Sequence, residues 1–473
     1  MRQTINLQMQ LGEVDISALS FNCKSRDDIP RLLRSLQHIW VTPDLRARVF
    51  QALEGMIPAD RNNGRPGMEL WKILVFGSLR LVTNCDYDRL QELANEHGTL
   101  RKMLGHGPYC THAYHIQTLQ DNISLFTPEI LDEINQIVVE AGHQLVKKKD
   151  EPLHGRADSF VVKTDVHFPT DISLLSDACR KVIEFASALA DQYQLPGWRQ
   201  REFLKKQHRK LYHTARNLKH SSSECESKQQ LRQHDIEIAH LEYISYSLNL
   251  LSKAEHTFAL VQKNHPDAPK LENLKYHIAH SHHQIDLIYR RVIEHQQIPH
   301  HEKVFSIFEP HTEWISKGKA GTPVELGLRV CVLQDQFGFT LHHLVMQKQT
   351  DDQVTVAIAE GAKQRFPMLS QVSYDKGFWS PDNLAKLELF LDKPILPKKG
   401  KLSADDKKRE SHPEFEKARR RHSAVESDIN ALESTGLDKC PDKGIDSFKR
   451  YVSLAVLATN LKRLGKILLD RDR

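Results

Sequence analysis

The chain has 473 residues, of which 40% are hydrophobic and 27% charged, and its formal net charge is +5. This length allows two or three domains, and the composition is ordinary for a soluble globular protein. The seven cysteines are scattered without a CxxC pair, which argues against a disulfide framework or a thiolate zinc site. The longest apolar runs are much shorter than the roughly 20 residues of a membrane span, and MRQTINLQMQLGEVD does not have the pattern of a signal peptide. We therefore expect a cytoplasmic protein with no membrane partner.

Residues 1–150 are predicted to form short helices. One is expected around IPRLLRSLQHIW, and the next begins at a capping Thr42 followed by Pro43. After the loop NNGRPG, the segment MELWKILVFGSLRLVTN has a helical apolar face. Helix-turn-helix DNA-binding domains have this pattern, and so do plain helical bundles. We interpret 1–150 as an N-terminal helical DNA-binding region, with the bundle as the alternative.

A strand is predicted over 158–168, and the chain is then strongly helical to about residue 297. Two heptad-like series in this stretch are separated by NHPDAPK, and they predict an antiparallel helical hairpin. The first series is Leu241, Ile244, Leu248, Leu251 and Phe258, and the second is Leu271, Leu274, Ile278, Ile285, Ile288 and Val292.

A strongly basic segment lies within this helical stretch, before the two heptad-like series. WRQREFLKKQHRKLYHTARNLKH has one acidic residue against eight basic ones: Arg199, Arg201, Lys205, Lys206, Arg209, Lys210, Arg216 and Lys219. A run of charge is most often a solvated helix face. The imbalance here favours contact with phosphate groups.

From Pro323 the periodicity changes to that of strands. VELGLRVCVLQD and GFTLHHLVMQ flank a hairpin turn, and DDQVTVAIAEGAKQRFP predicts a helix. The strand LSQVSYD, a short helix, a strand in PILPKKGK and two helices follow. Without the helical stretch the order is β–β–β–α–β–α–β–α, which is that of the ribonuclease H-like fold. We predict an α/β (α+β) mixed-sheet core over 151–176 and 311–473, with a helical arm inserted as 177–310.

Three acids fall at corresponding places of such a core. Asp158 lies on the first strand, Asp375 ends the fourth, and Glu426 lies on the penultimate helix. Cleavage of a phosphodiester by two divalent cations requires carboxylates that reach both ions, and Mg²⁺ prefers oxygen ligands. Each acid alone is more often a plain surface residue. Together they predict a site for two ions of Mg²⁺ or Mn²⁺.

Several longer motifs point to one family. They include GRPGMELWKILVFGSLRL, RADSFVVKTDVHFPTDISLL, YDKGFWSPDN, RRRHSAVESDINALESTGLDKC and YVSLAVLATNLKRLGKILL. Together the motifs, which extend from about Gly64 to Leu469, resemble bacterial insertion-sequence transposases of the DDE type, in the ISNCY group. The resemblance implies a ribonuclease H-like catalytic core that cleaves and joins DNA during transposition. It also implies binding of the element's terminal repeats and of target DNA, by a homodimer or a higher oligomer associated with the nucleoid.

The resemblance assigns the catalytic and metal-binding roles to the same three acids. Asp158 in DSFVV matches the family's first acid, Asp375 in DKGF the second, and Glu426, in a helix with basic residues a turn earlier, the third. One departure is that Glu433 stands seven residues after Glu426, where related enzymes commonly have lysine. Which side chains would position the phosphate is therefore open, and Arg419 and Arg421 are the available substitutes. Glu433 competes with Glu426 for the role of third acid.

The remaining candidates have weaker patterns. Asp165 is predicted to lie on the opposite strand face from Asp158, and Asp171 to cap a helix. Three lysines after the fifth strand are expected to face DNA: Lys398, Lys399 and Lys401. Zinc binding by His277, His280 and His283 is the alternative to a polar helix face. Two other functions stay open, a non-catalytic transposase-derived DNA-binding protein and a nuclease that cuts without joining.

Overall fold

The computed structural model describes residues 4–5, 13–57, 67–316 and 323–473. The predicted loop NNGRPG lies almost wholly outside these residues. The chain divides into two compact units, each with its own hydrophobic core. The first unit contains residues 1–165 and 313–473, and the second contains residues 166–312.

In the described part of the first unit, seven α-helices precede the sheet, as the sequence predicted for this region. They are α1 (Asp28–Val41), α2 (Pro43–Glu54), α3 (Leu70–Val82), α4 (Tyr87–Glu96), α5 (Gly98–Met103), α6 (Ile116–Ile123) and α7 (Pro128–Val146). Asp27, Asp86 and Thr127 accept backbone hydrogen bonds as N-caps of α1, α4 and α7. Pro43 begins α2 and Thr42 occupies the N-cap position as predicted, but the Thr42 side chain makes no capping hydrogen bond. α3 is buried on nearly every side, and not on one face only.

The second unit is built from four α-helices. They are α8 (Asp171–Gln192), α9 (Arg201–Asn217), α10 (Glu226–Asn264) and α11 (Leu271–Val292). The predicted antiparallel arrangement of α10 and α11 is confirmed, because His282 in α11 contacts Glu255, while His295, three residues beyond the end of α11, contacts Glu237, which is earlier in α10.

The predicted seam between these two helices is only partly correct. Ile244 and Leu251 are buried, but Leu241 and Leu248 remain 41% and 42% exposed. α10 packs against α8 and α9 as well as against α11. The buried face of α10 is therefore shared among three helices and does not follow the predicted seam with α11 alone. This face includes Tyr243, which is fully buried.

The sheet lies in the first unit, and its described strands are seven. They are β1 (Leu153–Thr164), β2 (Glu313–Ser316), β3 (Val324–Gln334), β4 (Thr340–Met346), β5 (Leu369–Ser373), β6 (Lys393–Ile395) and β7 (Lys439–Cys440). β3 is antiparallel to β1, β2 and β4, whereas β5 is parallel to β1 and β6 to β5. The short β7 pairs parallel to the end of β1. The protein is therefore a mostly helical α/β protein with a mixed sheet in the order β2-β3-β1-β5-β6.

The first strand is displaced from its predicted position. β1 begins at Leu153 and not at Asp158, and it ends at Thr164 and not at residue 168. Its early residues pair with β5 and its middle with β3. These partners lie more than 150 residues away in the chain, so local alternation could not indicate where pairing starts.

Six further α-helices of the first unit follow β4. They are α12 (Asp351–Arg365), α13 (Pro381–Glu388), α14 (Ala404–Glu410), α15 (Pro413–His422), α16 (Val425–Leu432) and α17 (Ile445–Arg471). The sequence predicted one helix through α15 and α16. At their junction the bonds tighten to the i→i+3 pattern, from Ala424 N to Arg421 O and from Ser427 N to Ala424 O. None of the described helices is long and apolar enough to cross a membrane.

α17 is the central helix of the first unit, and it packs against α1, α3 and α7. At Gly465 the backbones of α17 and α1 are in close contact, because a Cβ there would lie 1.7 Å from the carbonyl oxygen of Arg31. A main-chain atom cannot move aside as the end of a side chain can. Any larger residue must therefore separate the two helices.

We expect Gly465→Ala to destabilise the protein by about 1–3 kcal/mol, the usual cost of overpacking. The measurement is the midpoint of urea unfolding followed by circular dichroism. The control is Gly98→Ala in α5, where a Cβ would meet no atom within 4 Å and stability should stay the same or rise slightly. Equal midpoints for the two variants would contradict the close helix contact.

Candidate active site

Two aspartates are adjacent at the end of β5. In the parallel pair of β1 and β5, Arg156 lies opposite Ser373. Asp158 and Asp375 each come two residues later, so the register places Asp158, in the middle of β1, beside the turn that follows β5 and carries Asp375. Asp158 is half-buried, while Asp375 is exposed in the turn that follows β5.

Backbone amides orient both of these carboxylates. The N–H of Ser159 donates to Asp158 Oδ1 at 2.8 Å. The N–H of Gly377 donates to Asp375 Oδ1 at 2.6 Å, and Asp375 thereby caps the short turn Lys376–Phe378. One oxygen of each carboxylate is thus fixed by the main chain, which leaves the other oxygen for a ligand.

The third predicted acid, Glu426, is exposed in the first turn of α16. This helix packs against β1, and Asp428 holds it there through a 2.8 Å ion pair with Arg156. His422, at the end of α15, hydrogen-bonds Ser373 Oγ at 3.1 Å. These two contacts tie the helices on either side of the junction to β1 and β5, beside the two aspartates.

A fourth carboxylate, which the sequence reasoning missed, belongs to the same cluster. Asp351 lies in the first turn of α12 and accepts a 2.6 Å hydrogen bond from Ser159 Oγ. The sequence DDQ after Thr350 resembles an ordinary helix start, where acids favour the helix dipole. Only the contact with a strand 192 residues away distinguishes Asp351 from other such residues.

The four carboxylates repel one another. Burial raises the pKa of Asp158 to about 6, and the negative charges of Asp375, Asp351 and Glu426 add to the rise. The hydrogen bond from Ser159 acts in the opposite direction. Within the described chain, no Lys, Arg or His forms a salt bridge with any of the four. The cluster therefore holds negative charge that no cation of the described residues neutralises through a salt bridge.

No protein-family model, curated protein or solved structure gives a significant match to this chain. The function must therefore be inferred from the site itself.

Across the described residues, no group of three or more His, Cys, Asp or Glu side chains is gathered closely enough to hold a metal ion as it stands. Asp375 and Glu426, whose charges raise the pKa of Asp158, are exposed.

The competing acids lie elsewhere. Asp165 follows the end of β1 and forms a 2.6 Å ion pair with Lys439. Glu433 begins a π-helical turn after α16, and it is not among the charges that raise the pKa of Asp158. Asp171 is not the cap of α8, because the Thr170 side chain accepts from the backbone and Asp171 pairs with Arg291 at 3.2 Å.

The predicted basic residues of the second unit fall into two groups. Arg201 pairs with Asp191, and Lys205 pairs with Glu202 at 2.8 Å. Others are exposed and have no salt bridge with a described residue: Arg199, Lys206, Arg209 and Lys210. The second group leaves its positive charge free for a partner, and so do Arg216 and Lys219, which are also exposed and have no salt bridge with a described residue.

The basic residues of the first unit also differ in exposure. Lys398 pairs with Asp406 and lies 5.5 Å from the ring centre of Trp379, so its charge is largely balanced. Lys399 and Lys401 are exposed in the loop after β6. Arg419 and Arg421 are exposed on α15, and Arg419 is 3.8 Å from Glu410.

The histidines of α11 are packing residues and not a solvated face. His277 stacks on Phe185 with ring centres 5.5 Å apart, and His280 lies 4.4 Å from the ring of Tyr276. His283 donates to the carbonyl of Glu302 at 2.9 Å. These contacts account for the cluster without zinc.

The raised pKa of Asp158 predicts a pH-dependent stability. Because this pKa is about 6 in the folded protein and ordinarily 3.8, the folded state binds more protons between these values, and stability falls as pH rises through them. Asp158→Asn removes this loss. At pH 7.5 we expect the variant to be more stable than wild type by at most about 3 kcal/mol, and therefore to melt at a higher temperature. At pH 3.5 the variant and the wild type should melt at the same temperature.

Asp165→Asn is the control for this measurement. It removes the same charge just beyond the same strand, from a 58% exposed side chain that already has a cation. A surface pair contributes about 0–1 kcal/mol, so the control should melt no higher than wild type. If Asp158→Asn and Asp165→Asn behaved alike in calorimetry at pH 7.5, the combined cost of burial and repulsion for the Asp158 charge would be disproved.

Proposed function

We propose that this protein is a DNA transposase of the DDE type, similar to the ISNCY group of bacterial insertion sequences. The observation that carries the proposal is the uncompensated carboxylate cluster at the end of β5. It brings together Asp158, Asp375 and Glu426, which lie far apart in the sequence. An acidic cluster without a protein cation favours a cationic ligand, and paired carboxylates with two such ions cleave phosphodiesters.

The strand order supports a ribonuclease H-like core as part of the proposal. β1, β3 and β4 are successively antiparallel, and β5 and β6 then continue the sheet on the other side of β1 in parallel. α12 precedes β5, and α13 precedes β6. The second unit, residues 166–312, is inserted in the chain between β1 and β2, and it includes residues 177–310, which were predicted as the helical arm.

The donors of the cluster fit Mg²⁺ or Mn²⁺. All are carboxylate oxygens, which these hard cations prefer, and Mg²⁺ is usually held by only a few carboxylates together with water and substrate phosphate. Asp158, Asp375 and Glu426 would hold two ions, once the exposed Asp375 and Glu426 side chains turn toward Asp158. When bound, the ions would polarise the phosphodiester and activate its nucleophile.

The protein's own residues have distinct roles in this proposal. Asp158 is the fixed element, because its strand and its hydrogen bond with Ser159 N hold it in place. Asp375 and Glu426 are exposed, so DNA can reach them from solvent. Arg156 is a positioning residue, since its ion pair with Asp428 holds α16 on β1. Hydrolysis at the element end frees a 3′-hydroxyl, which then attacks target DNA.

The direct test is cleavage and joining of duplexes that carry the sequences flanking the gene, in Mg²⁺ or Mn²⁺. Asp158→Asn, Asp375→Asn and Glu426→Gln should each lower cleavage by at least about 100-fold, because each loses several kcal/mol of charge stabilisation. Asp165→Asn and Glu433→Gln are matched controls that should retain activity.

The outcomes of this test separate the competing functions. Cleavage without strand transfer would identify a nuclease, and specific binding without cleavage would identify a non-catalytic transposase-derived protein. Full activity of Asp158→Asn or Asp375→Asn would overturn the assignment of the site. Loss of activity in Glu433→Gln with retention in Glu426→Gln would transfer the third role to Glu433.

The exposed cations of the second unit give a separate test of DNA binding. Substituting Lys206, Arg209 and Lys210 with alanine should weaken binding to any duplex and lower the slope of log K against log salt by about 0.9 for each lost phosphate contact. The control is Arg201→Ala with Lys205→Ala, whose charges are already paired within the unit. Fluorescence anisotropy at several salt concentrations measures the affinity and the salt slope of each variant. Equal slopes for the triple variant and the control would argue against α9 as a DNA-binding surface.

A further inference from the structure

The helical second unit contains a cavity of about 800 Å³. Its volume lies within the range of about 300–1,000 Å³ that is usual for small-molecule sites. All of its lining residues belong to this unit, and all four helices contribute to it. The start of α8, the last two turns of α9, the first half of α10 and the end of α11 meet there. No residue of the carboxylate cluster lines this cavity.

Most charged side chains at the cavity are already paired. Asp177 lines it from α8, and this carboxylate contacts His167 at 2.7 Å and Arg180 at 3.4 Å. Arg291 lines it from α11 and contacts Asp171 at 3.2 Å. These acids and cations largely offset one another, so they do not give the cavity a preference for a charged ligand.

Arg216 is the exception among these cations. It lines the cavity from the last turn of α9, its side chain is exposed, and it has no salt bridge with a described residue. Its guanidinium lies 5.7 Å from the ring centre of Tyr212, which also lines the cavity. This contact orients the guanidinium without neutralising it. A guanidinium in that state favours a phosphate group, which it can bind through two parallel hydrogen bonds.

His240 supplies a hydrogen-bond acceptor at the same cavity. Its side chain is only 7% exposed, and its Nδ1 lies 2.7 Å from the carbonyl oxygen of Ile236. A carbonyl can only accept, so Nδ1 carries the proton and Nε2 of the neutral ring is an acceptor. Burial lowers the pKa of His240, and the positive charge of Arg291 adds to this effect, so the ring is neutral at pH 7. Nε2 makes no hydrogen bond with a described residue, which leaves it open to a ligand N–H or O–H.

Two aromatic side chains complete the features that a ligand would meet. Phe168, between β1 and α8, lines the cavity although 62% of its side chain is exposed. Tyr212 lines it from α9 and is half-buried. Accessible aromatic faces are platforms on which planar rings stack, and nucleobases do so irrespective of their sequence.

We propose that this cavity binds a nucleoside monophosphate unit, either as a free nucleotide or as an unpaired nucleotide of a DNA strand. Arg216 binds the phosphate, Phe168 stacks on the base, and His240 Nε2 accepts a hydrogen bond from an N–H at the base edge. A single phosphate is expected because the other arginine of the lining, Arg291, is already paired with an acid. The inference goes beyond the proposed function, since it requires neither a metal ion nor the carboxylate cluster.

The test is isothermal titration calorimetry of the full-length protein with the four deoxynucleoside monophosphates, in buffer containing EDTA. EDTA removes divalent cations, so the result is separate from that of the metal-dependent cleavage assay. We expect saturable binding of at least one nucleotide with a Kd below about 1 mM, and inorganic phosphate should bind at least about 10-fold more weakly. Arg216→Gln should weaken nucleotide binding by at least about 10-fold, because it loses a charge-assisted contact.

His240→Phe keeps a ring at this buried position and removes the acceptor. It should weaken binding of the nucleotide and leave the weak binding of inorganic phosphate unchanged. Arg216 is exposed, so Arg216→Gln still decides the outcome if His240→Phe fails to fold.

Lys275→Gln is the control for the loss of one positive charge. Lys275 is exposed on α11, roughly 24 Å along the helix before Arg291, which is more than the screening length of about 10 Å at 0.1 M salt. This variant should bind nucleotides as wild type does. Equal binding by wild type and Arg216→Gln, or equal weakening in Arg216→Gln and Lys275→Gln, would overturn the proposal.

A 5′-phosphorylated single-stranded oligonucleotide distinguishes the two sources of the nucleotide. Binding of the oligonucleotide that depends on both Arg216 and His240, without binding of free nucleotides, would assign the cavity to a DNA strand. Binding of free nucleotides that the oligonucleotide does not displace would assign it to a small molecule. If neither binds with a Kd below about 1 mM, or if inorganic phosphate binds as tightly as the nucleotides, the cavity is not a nucleotide site.

Discussion

Mutual repulsion among four carboxylates at the end of β5 is the constraint on which the rest of the site depends. Asp158 is half-buried in the central strand, where loss of water already disfavours its charge. Three more acids surround it, and the described chain provides no cation to any of them. A protein that only had to be stable would gain by neutralising one of these positions. Their joint presence is understandable if a ligand supplies the positive charge.

The fold maintains this arrangement through strand pairing, an ion pair and a hydrogen bond. Parallel pairing of β1 with β5 sets Asp158 beside Asp375. The ion pair of Arg156 with Asp428 holds α16 on one face of β1, and the hydroxyl of Ser159 holds Asp351 on the other. Repulsion therefore cannot relax by moving a whole helix. It can relax only by rotation of the exposed side chains, which is the freedom that a binding site requires.

The sequence indicated the parts of this site that depend on local pattern. The strand–helix order of a ribonuclease H-like core predicted that Asp158, on the first strand, and Asp375, after a later strand, would lie near each other, and the family resemblance selected Glu426 over Glu433. Asp351 was missed because its distinguishing contact is with Ser159, 192 residues earlier. Leu241 and Leu248 were misplaced for the same kind of reason, since contacts with α8 and α9 turned the buried face of α10. Contacts between residues far apart in the chain produce no local periodicity from which they could be predicted.

The central claim is that the end of β5 is a binding site for divalent cations. The most direct measurement is anomalous X-ray diffraction from crystals of the protein grown with Mn²⁺ and a duplex carrying an element end. We predict anomalous density within bonding distance of Asp158 and Asp375, about 2.0–2.2 Å from their oxygens. Well-ordered carboxylates at the end of β5 with manganese density only elsewhere, or with none, would contradict it.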